Sequence, residues 1–246
     1  MARCITPGDL GKKLRACSDA ITFVSRFTTI EEAWDDCYRG DWMLWFAYAV
    51  NVPMTALTLA KAMCADTARH FMTDPRSRLS VDTAKEFSKG GVSLYTLRTA
   101  YIEADCALKG LPELETYPIV LPRDPESYLN YRLRFYSHFA DYHAANSAVA
   151  AAKSGGMRLS QSMSASSAAC AVMNDLCRRK CEEGIVVDRY DDEQELILMQ
   201  NYYNTADICR EILTKEVMEA VKDRRWLMPT TDNYYVDFAN EQGGQA

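Results

Sequence analysis

The stretch from residue 192 to 226 constrains the fold more than any other part of this sequence. Apolar side chains recur there in steps of three and four, the spacing of one face of an α-helix. Basic residues near its end, Lys222, Arg224 and Arg225, complement the negative pole of a helix, and Pro229 cannot continue one. The apolar positions are Leu196, Met199, Tyr203, Ala206, Leu213, Val217 and Ala220. The sequence therefore predicts one long C-terminal helix.

Two further helices are indicated by their ends and their spacing. Asp124-Pro125-Glu126 is a strong helix start, because aspartate caps free backbone N–H groups and proline fits the first helical position. This aromatic-rich helix is expected to reach Ala152, before Gly155-Gly156. Residues 160–183 are rich in alanine and serine and keep helical spacing, which favours a closely packed helix over a flexible linker.

Most other segments show the same period, so the sequence predicts an all-α fold, a multi-helix bundle of antiparallel helices. Helix starts are expected at Thr28 or Thr29 and at Asp41, where a short polar side chain precedes an apolar run. Two short apolar runs, 118–121 and 185–187, are the candidates for a minor β-ribbon.

The chain is long enough to bury a substantial core, and residues 1–229 are predicted to form a single all-α domain. The proline-rich stretch 110–124 cannot be regular helix throughout, and it is the candidate for a long loop or subdomain boundary. Residues 230–246 form a polar tail. Its apolar patch at 234–238 is expected to dock, and its end is expected to be disordered.

Charge and cysteine content narrow the functional classes. The formal net charge is −6, which argues against a uniformly basic nucleic-acid surface. The nine cysteines are odd in number and lie mostly in apolar helical runs, which is typical of a reducing cytoplasm and unlike a secreted disulfide framework. The longest apolar run, Trp42–Val50, is too short for a membrane span of ~20 residues. We expect a cytoplasmic protein without membrane association.

The common constellations for catalysis and metal binding are incomplete in this sequence. The three histidines do not belong to the paired Glu-x-x-His motifs of a binuclear helical site. Cys177 and Cys181 are four residues apart, but no second pair would complete a zinc site. Glycine-rich phosphate loops and nucleophile elbows are also missing. The sequence predicts no catalytic residue, no metal and no cofactor.

The most unusual local feature is a concentration of tryptophan. Trp34, Trp42 and Trp45 fall within twelve residues, interspersed with Asp36 and Asp41. One interpretation is a binding hot spot or ligand pocket. The other, which the sequence favours, is an aromatic core between two short helices, in which an aspartate accepts a hydrogen bond from an indole N–H.

A second candidate site combines tyrosine with arginine. Tyr131, Arg132 and Arg134 lie close together in the aromatic helix, where they could stack on a base and contact phosphates. The other interpretation, which we favour, is a buried tyrosine face with solvated arginines.

The tryptophan segment also resembles a known family. Glu-Glu-Ala-Trp-Asp-Asp-Cys-Tyr-Arg-Gly-Asp-Trp-Met-Leu-Trp at 31–45 is similar to the opening motif of a group of bacterial and phage immunity proteins, and its Trp-x-x-Cys-x-x-x-Asp-Trp spacing is unusual. Residues 72–77 and 206–213 look similar as well. The aromatic helix and the proline-rich loop before it depart from the family pattern.

The resemblance implies an all-α fold and a protein that binds and neutralises a toxin, and it brings no catalytic residue. We therefore predict a non-enzymatic inhibitor or immunity protein whose partner is a toxin or a host-defence effector; a phage-encoded member would block a host defence. The alternative is a helical protein that binds or sequesters a small ligand, such as a nucleotide. A homo-oligomer formed through the long C-terminal helix is a further prediction.

Overall fold

The structure is a computed structural model that describes residues 5–111, 124–154, 158–187 and 192–227, with the side chains of residues 158 and 159 left aside. Ten α-helices and two short 3-10 turns, Arg69–Phe71 and Arg225–Leu227, make up the regular structure of these residues. The helices are α1 (Pro7–Leu14), α2 (Ser18–Val24), α3 (Ile30–Asp35), α4 (Gly40–Ala49), α5 (Met54–Asp66), α6 (Pro75–Ser88), α7 (Leu94–Lys109), α8 (Pro125–Ala152), α9 (Arg158–Glu182) and α10 (Asp192–Lys222). The predicted all-α bundle with one long C-terminal helix is confirmed.

The three long helices follow from local signals in the sequence. Asp124 caps α8, its carboxylate accepting the backbone N–H of Ser127 at 2.8 Å, and α8 ends at Ala152 as predicted. The alanine- and serine-rich stretch is the helix α9. Residues 185–187 carry no strand. The other half of the suggested ribbon, most of the proline-rich stretch (112–123) and the tail 230–246 lie outside the described residues.

The antiparallel pair α8 and α9 forms the centre of the bundle. Helices α4, α5 and α10 pack against α9, and α5, α6 and α7 pack against α8. The antiparallel direction is visible in two hydrogen bonds, from Ser147 Oγ to the carbonyl of Ser164 at 2.6 Å and from Asn146 to Ser167 at 2.9 Å. Helix α10 runs along α9 and also reaches α3 and α4, so it links the two ends of the chain.

Small side chains let α8 and α9 approach each other closely. Ala144, Ala148 and Ala151 of α8 are fully buried, as are Ala168 and Ala171 of α9. Because alanine loses almost no side-chain entropy on burial, a seam of this kind is entropically inexpensive to order. The close packing predicted for the alanine-rich helices is confirmed.

One lysine is buried at the end of this seam. Lys61 of α5 is 1% exposed, and its ammonium donates hydrogen bonds to the carbonyl of Lys153 at 2.5 Å and to Gln161 Oε1 at 2.9 Å. Burial, together with the nearby charge of Lys153, lowers the pKa of Lys61 to about 7. The side chain therefore joins α5 to the C-terminus of α8 and to α9. Because its pKa is about 7, its ammonium group loses its proton near neutral pH.

Among the helices of the described ranges, none combines the length and the apolar character that a membrane crossing requires.

Candidate functional site

The four short N-terminal helices surround an apolar pocket, which we call the tryptophan pocket. Its volume is about 380 Å³. Ligand sites usually have volumes of roughly 300 to 1,000 Å³. The pocket is lined by Pro7, Leu10, Gly11, Arg15, Ala16, Cys17, Ala20, Phe23, Val24, Ile30, Ala33, Trp34, Cys37, Asp41, Trp42, Met43, Trp45, Phe46 and Ser162. All three tryptophans of the sequence cluster are among these residues, so the structure brings them together around one space.

Helix α3 places the first tryptophan in the wall. Thr29 caps α3 in a reciprocal capping box with Glu32, which confirms one of the two predicted helix starts. Trp34, one turn later, is 3% exposed, and its indole N–H donates to Thr214 Oγ1 of α10 at 2.9 Å. The expectation that an aspartate accepts this hydrogen bond is wrong for Trp34, because the acceptor is Thr214 of α10, from a distant part of the chain.

Helix α4 places the other two. Trp42 and Trp45 are three residues apart and therefore share a face of α4, where both are partly buried. The ring of Trp42 lies 5.9 Å from Phe23 of α2. These two rings, unlike Trp34, keep part of their surface open, so the cluster is partly core and partly an accessible wall.

Asp41 is not the cap of α4, contrary to the prediction. The cap position is held by Arg39, and Asp41 is the second residue of the helix. Asp41 is 8% exposed, and its carboxylate receives two hydrogen bonds from the guanidinium of Arg39, at 2.8 and 2.7 Å. The short distance in sequence and the fork geometry of arginine make this pair possible. Asp41 therefore enters the pocket wall as half of a neutral ion pair.

Aromatic rings enclose this ion pair. The guanidinium of Arg39 lies 4.1 Å from the ring centre of Tyr202 and 4.8 Å from that of Trp42. Burial, with the negative charge of Asp41 as a second cause, raises the pKa of Tyr202 to about 12. The hydroxyl of Tyr202 is therefore protonated at neutral pH, and the pair stays fixed between two uncharged rings.

Cys37 lies at the buried side of the pocket. Burial raises the pKa of its thiol to about 11, so the thiolate that a nucleophile or a metal ligand requires is scarce at neutral pH. The described residues also include no cluster of three side chains that could hold a metal ion. The pocket is suited to apolar contact, and the thiol of Cys37 is not an activated nucleophile.

Two residues at the rim were missed by the sequence analysis. Arg15 ends α1 in a left-handed conformation, with φ of 62°, and its side chain is exposed. Cys17, directly before α2, is exposed as well. The basic side chain gives no sequence signal of its own, because only the turn between α1 and α2 brings it to the pocket.

Asp36, the remaining member of the predicted tryptophan site, is exposed at the end of α3 and is not part of the lining. It continues a row of exposed carboxylates on α3 that includes Glu31 and Asp35. We call these three residues the acidic ridge. The same six-residue helix therefore presents Trp34 to the pocket and negative charge to solvent.

The second predicted site lies apart from the first. Arg132 donates hydrogen bonds to the hydroxyl of Tyr136 and to the carbonyl of Val187, and it stacks over both Phe135 and Tyr136. Its guanidinium thus holds the chain after α9 in place. Tyr131 is partly buried beside Phe135, 6.3 Å between ring centres.

The two sites lie toward opposite ends of α9. Ser162 lines the tryptophan pocket, whereas Cys181 packs with Tyr136 near the other end. Nineteen residues at a rise of ~1.5 Å per residue place them about 28 Å apart. Arg134 is exposed, and none of Tyr131, Arg132 and Arg134 lines the pocket.

Comparison with family models, with curated proteins and with solved structures found no match to this chain. The resemblance to immunity proteins thus stays a prediction.

Proposed function

We propose that this chain is a non-enzymatic binding protein of the inhibitor or immunity type, which acts in the cytoplasm by capturing a partner protein through the tryptophan pocket. The observation that carries the proposal is the pocket itself, with two partly open tryptophans on its wall. Tryptophan is enriched among the residues that dominate binding energy, and such residues cluster in desolvated pockets. An apolar side chain of the partner would be the anchor.

The electrostatics of the surroundings support the same function. The acidic ridge, Glu31, Asp35 and Asp36, lies on and directly after the helix that carries Trp34, and the whole chain has a net charge of −6. A negative surface beside an apolar anchor site steers a basic partner to the correct face and speeds encounter. A toxin or a host-defence effector with a basic surface would be such a partner.

The alternative, a small-ligand protein, is supported by the volume of the pocket, which lies in the usual range for ligand sites of roughly 300 to 1,000 Å³. Of the residues predicted to contact a nucleotide, Arg132 is already engaged by Val187 and Tyr136 and lies outside the pocket. A homo-oligomer through α10 stays a prediction; Leu196 and Tyr203 are large apolar side chains that α10 leaves exposed.

Co-expression with the products of neighbouring genes, followed by titration of the retained partner, tests the proposal. We expect Trp42→Ala and Trp45→Ala each to weaken binding by about 30-fold, the effect of losing a hot-spot residue of about 2 kcal/mol. Tyr95→Ala is the matched control, because Tyr95 is 68% exposed on α7 and lies outside the pocket. Retention of no neighbouring product, or unchanged affinity in both tryptophan variants, would contradict the proposal.

A further inference from the structure

We propose that the anchor captured by the tryptophan pocket is the C-terminal residue of the partner, with its apolar side chain inside and its free carboxylate on Arg15. This inference rests on the proposed function, and it specifies the chemistry of the group that the pocket accepts.

The charge of the pocket lining favours an anionic group on the ligand. Arg15 and Asp41 are the two charged residues that line the pocket. Both carboxylate oxygens of Asp41 are bonded to Arg39, so this pair contributes no net charge to the wall. Arg15 has no ion-pair partner in the part of the chain that the structure describes. The surplus charge at the pocket is therefore a single positive one, and it calls for an anion.

The main chain of Arg15 is fixed at the rim of the pocket. The backbone N–H of Arg15 bonds to the carbonyls of Gly11 and Lys12, which fixes its main chain at the end of α1. Glycine would hold this left-handed conformation without strain, whereas another residue type costs about 1 kcal/mol. The exposed guanidinium therefore extends from a fixed point on the rim, above walls that are mostly apolar.

The volume of the pocket fits the terminal residue of a chain. A cavity of ~150 Å³ holds one benzene molecule. The pocket, at about 380 Å³, therefore accepts one large apolar side chain together with part of its own main chain. A chain end has these dimensions and bears its carboxylate next to the side chain.

Two synthetic peptides test the inference directly. Both are hexapeptides of glycine and serine that end in phenylalanine, one as the free acid and the other as the amide. Binding is followed by tryptophan fluorescence, because three of the four tryptophans line the pocket. We expect the acid to bind about fivefold more tightly than the amide, the size of a half-exposed ion pair. The difference should shrink as salt is added.

Matched variants assign this difference to one side chain. Arg15→Gln should bind acid and amide equally, and Arg15→Lys should keep part of the preference. Lys12→Gln removes the same charge three residues away from a side chain outside the lining, and it should keep the full preference. Trp42→Ala should weaken both peptides.

The outcomes separate this inference from the proposed function. Equal binding of acid and amide, with both lost in Trp42→Ala, would overturn the carboxylate anchor and leave the pocket as an apolar anchor site. Binding of decanoate without binding of either peptide would overturn a chain end in favour of a small amphipathic ligand. Binding of no probe would overturn the inference, while co-expression with neighbouring gene products would still decide the proposed function.

Discussion

Gly40, the first residue of α4, lies directly against Thr205 of α10. A Cβ atom built on Gly40 would stand 2.4 Å from Thr205 Oγ1 and 2.6 Å from the carbonyl carbon of Thr205. The thiol of Cys209, one turn further along α10, donates to the carbonyl of Gly40 at 3.7 Å. The helix that carries Trp42 and Trp45 is therefore seated on α10 at a point where any side chain would push the two backbones apart.

We predict that Gly40→Ala destabilises the protein by about 1–3 kcal/mol, the usual cost of overpacking a core. Urea unfolding followed by circular dichroism measures it. Gly8→Ala is the matched control: its Cβ would meet the hydroxyl of Ser25 at 2.6 Å, and a hydroxyl can rotate away. An equal cost in both variants would show that the contact with the Thr205 backbone does not govern this packing.

The buried amine of Lys61 predicts a dependence of stability on pH. Its pKa is about 7 in the folded protein, below the ordinary value of 10.5 for lysine. Between these values the unfolded chain binds the extra proton, so the free energy of unfolding rises as pH increases. From pH 7 to pH 9 this contribution amounts to about 2 kcal/mol, at ~1.4 kcal/mol per pH unit when fully developed.

Lys61→Met should remove this rise, and the difference between wild type and variant over pH 7 to 9 isolates it. The range stops at 9 because Cys37 and Tyr202 act in the opposite sense at higher pH. Their pKa values are raised to about 11 and about 12, so the unfolded groups ionise first and stability falls. Parallel pH profiles for wild type and variant would contradict a weakly held charge on Lys61.

The hydrogen bond between Trp34 and Thr214 predicts an energetic coupling between the two ends of the chain. Thr214→Val keeps the side-chain shape and leaves a buried indole N–H without its acceptor, which costs about 1–3 kcal/mol. Trp34→Phe removes the donor. The double variant should therefore cost less than the sum of the two single variants, by 0.5 kcal/mol or more on the usual scale of about 0.5–3 kcal/mol for residues in contact. Strict additivity in urea unfolding would show that the two side chains are not coupled.

The two arginines of the aromatic helix should differ in their effect on stability. Arg132→Gln loses the hydrogen bonds to Tyr136 and to the carbonyl of Val187, and it should cost about 1–3 kcal/mol. Arg134 is exposed, so Arg134→Gln should change the free energy of unfolding by less than about 0.5 kcal/mol. A thermal-shift titration with nucleotides adds a second test, because an Arg132 that bound phosphate would give stabilisation that Arg132→Gln abolishes.

The elements that the sequence predicted well are those with local signals. The start of α8 at Asp124 and the length of α10 follow from caps, proline and apolar spacing, which act within a few residues. The partners of the site residues could not be predicted in this way. Trp34 bonds to Thr214, 180 positions later, and only the packing of α10 on α3 determines that contact.

The tryptophan cluster shows the same limit within a single motif. The sequence offered a core and a pocket as competing interpretations, and the structure contains both, since Trp34 is buried while Trp42 and Trp45 keep open surface. Whether a tryptophan is buried in the core or lines the open wall depends on α1 and α2. The spacing of the tryptophans does not indicate where these two helices lie relative to α4. Arg15 reaches the rim for the same reason.

The dependence of the pocket on α10 has a consequence during synthesis. Trp34 donates a hydrogen bond to Thr214, and Gly40 packs against Thr205. Helices α3 and α4 therefore cannot take their final positions until α10 has left the ribosome. At ~5–20 residues per second, the 180 intervening positions take about 9 to 36 s. Throughout that interval the nascent chain carries an unfinished aromatic surface. The tryptophan pocket therefore reaches its final form only after α10 has been synthesised, and until then the three clustered tryptophans form an exposed apolar surface of the kind that is prone to aggregation.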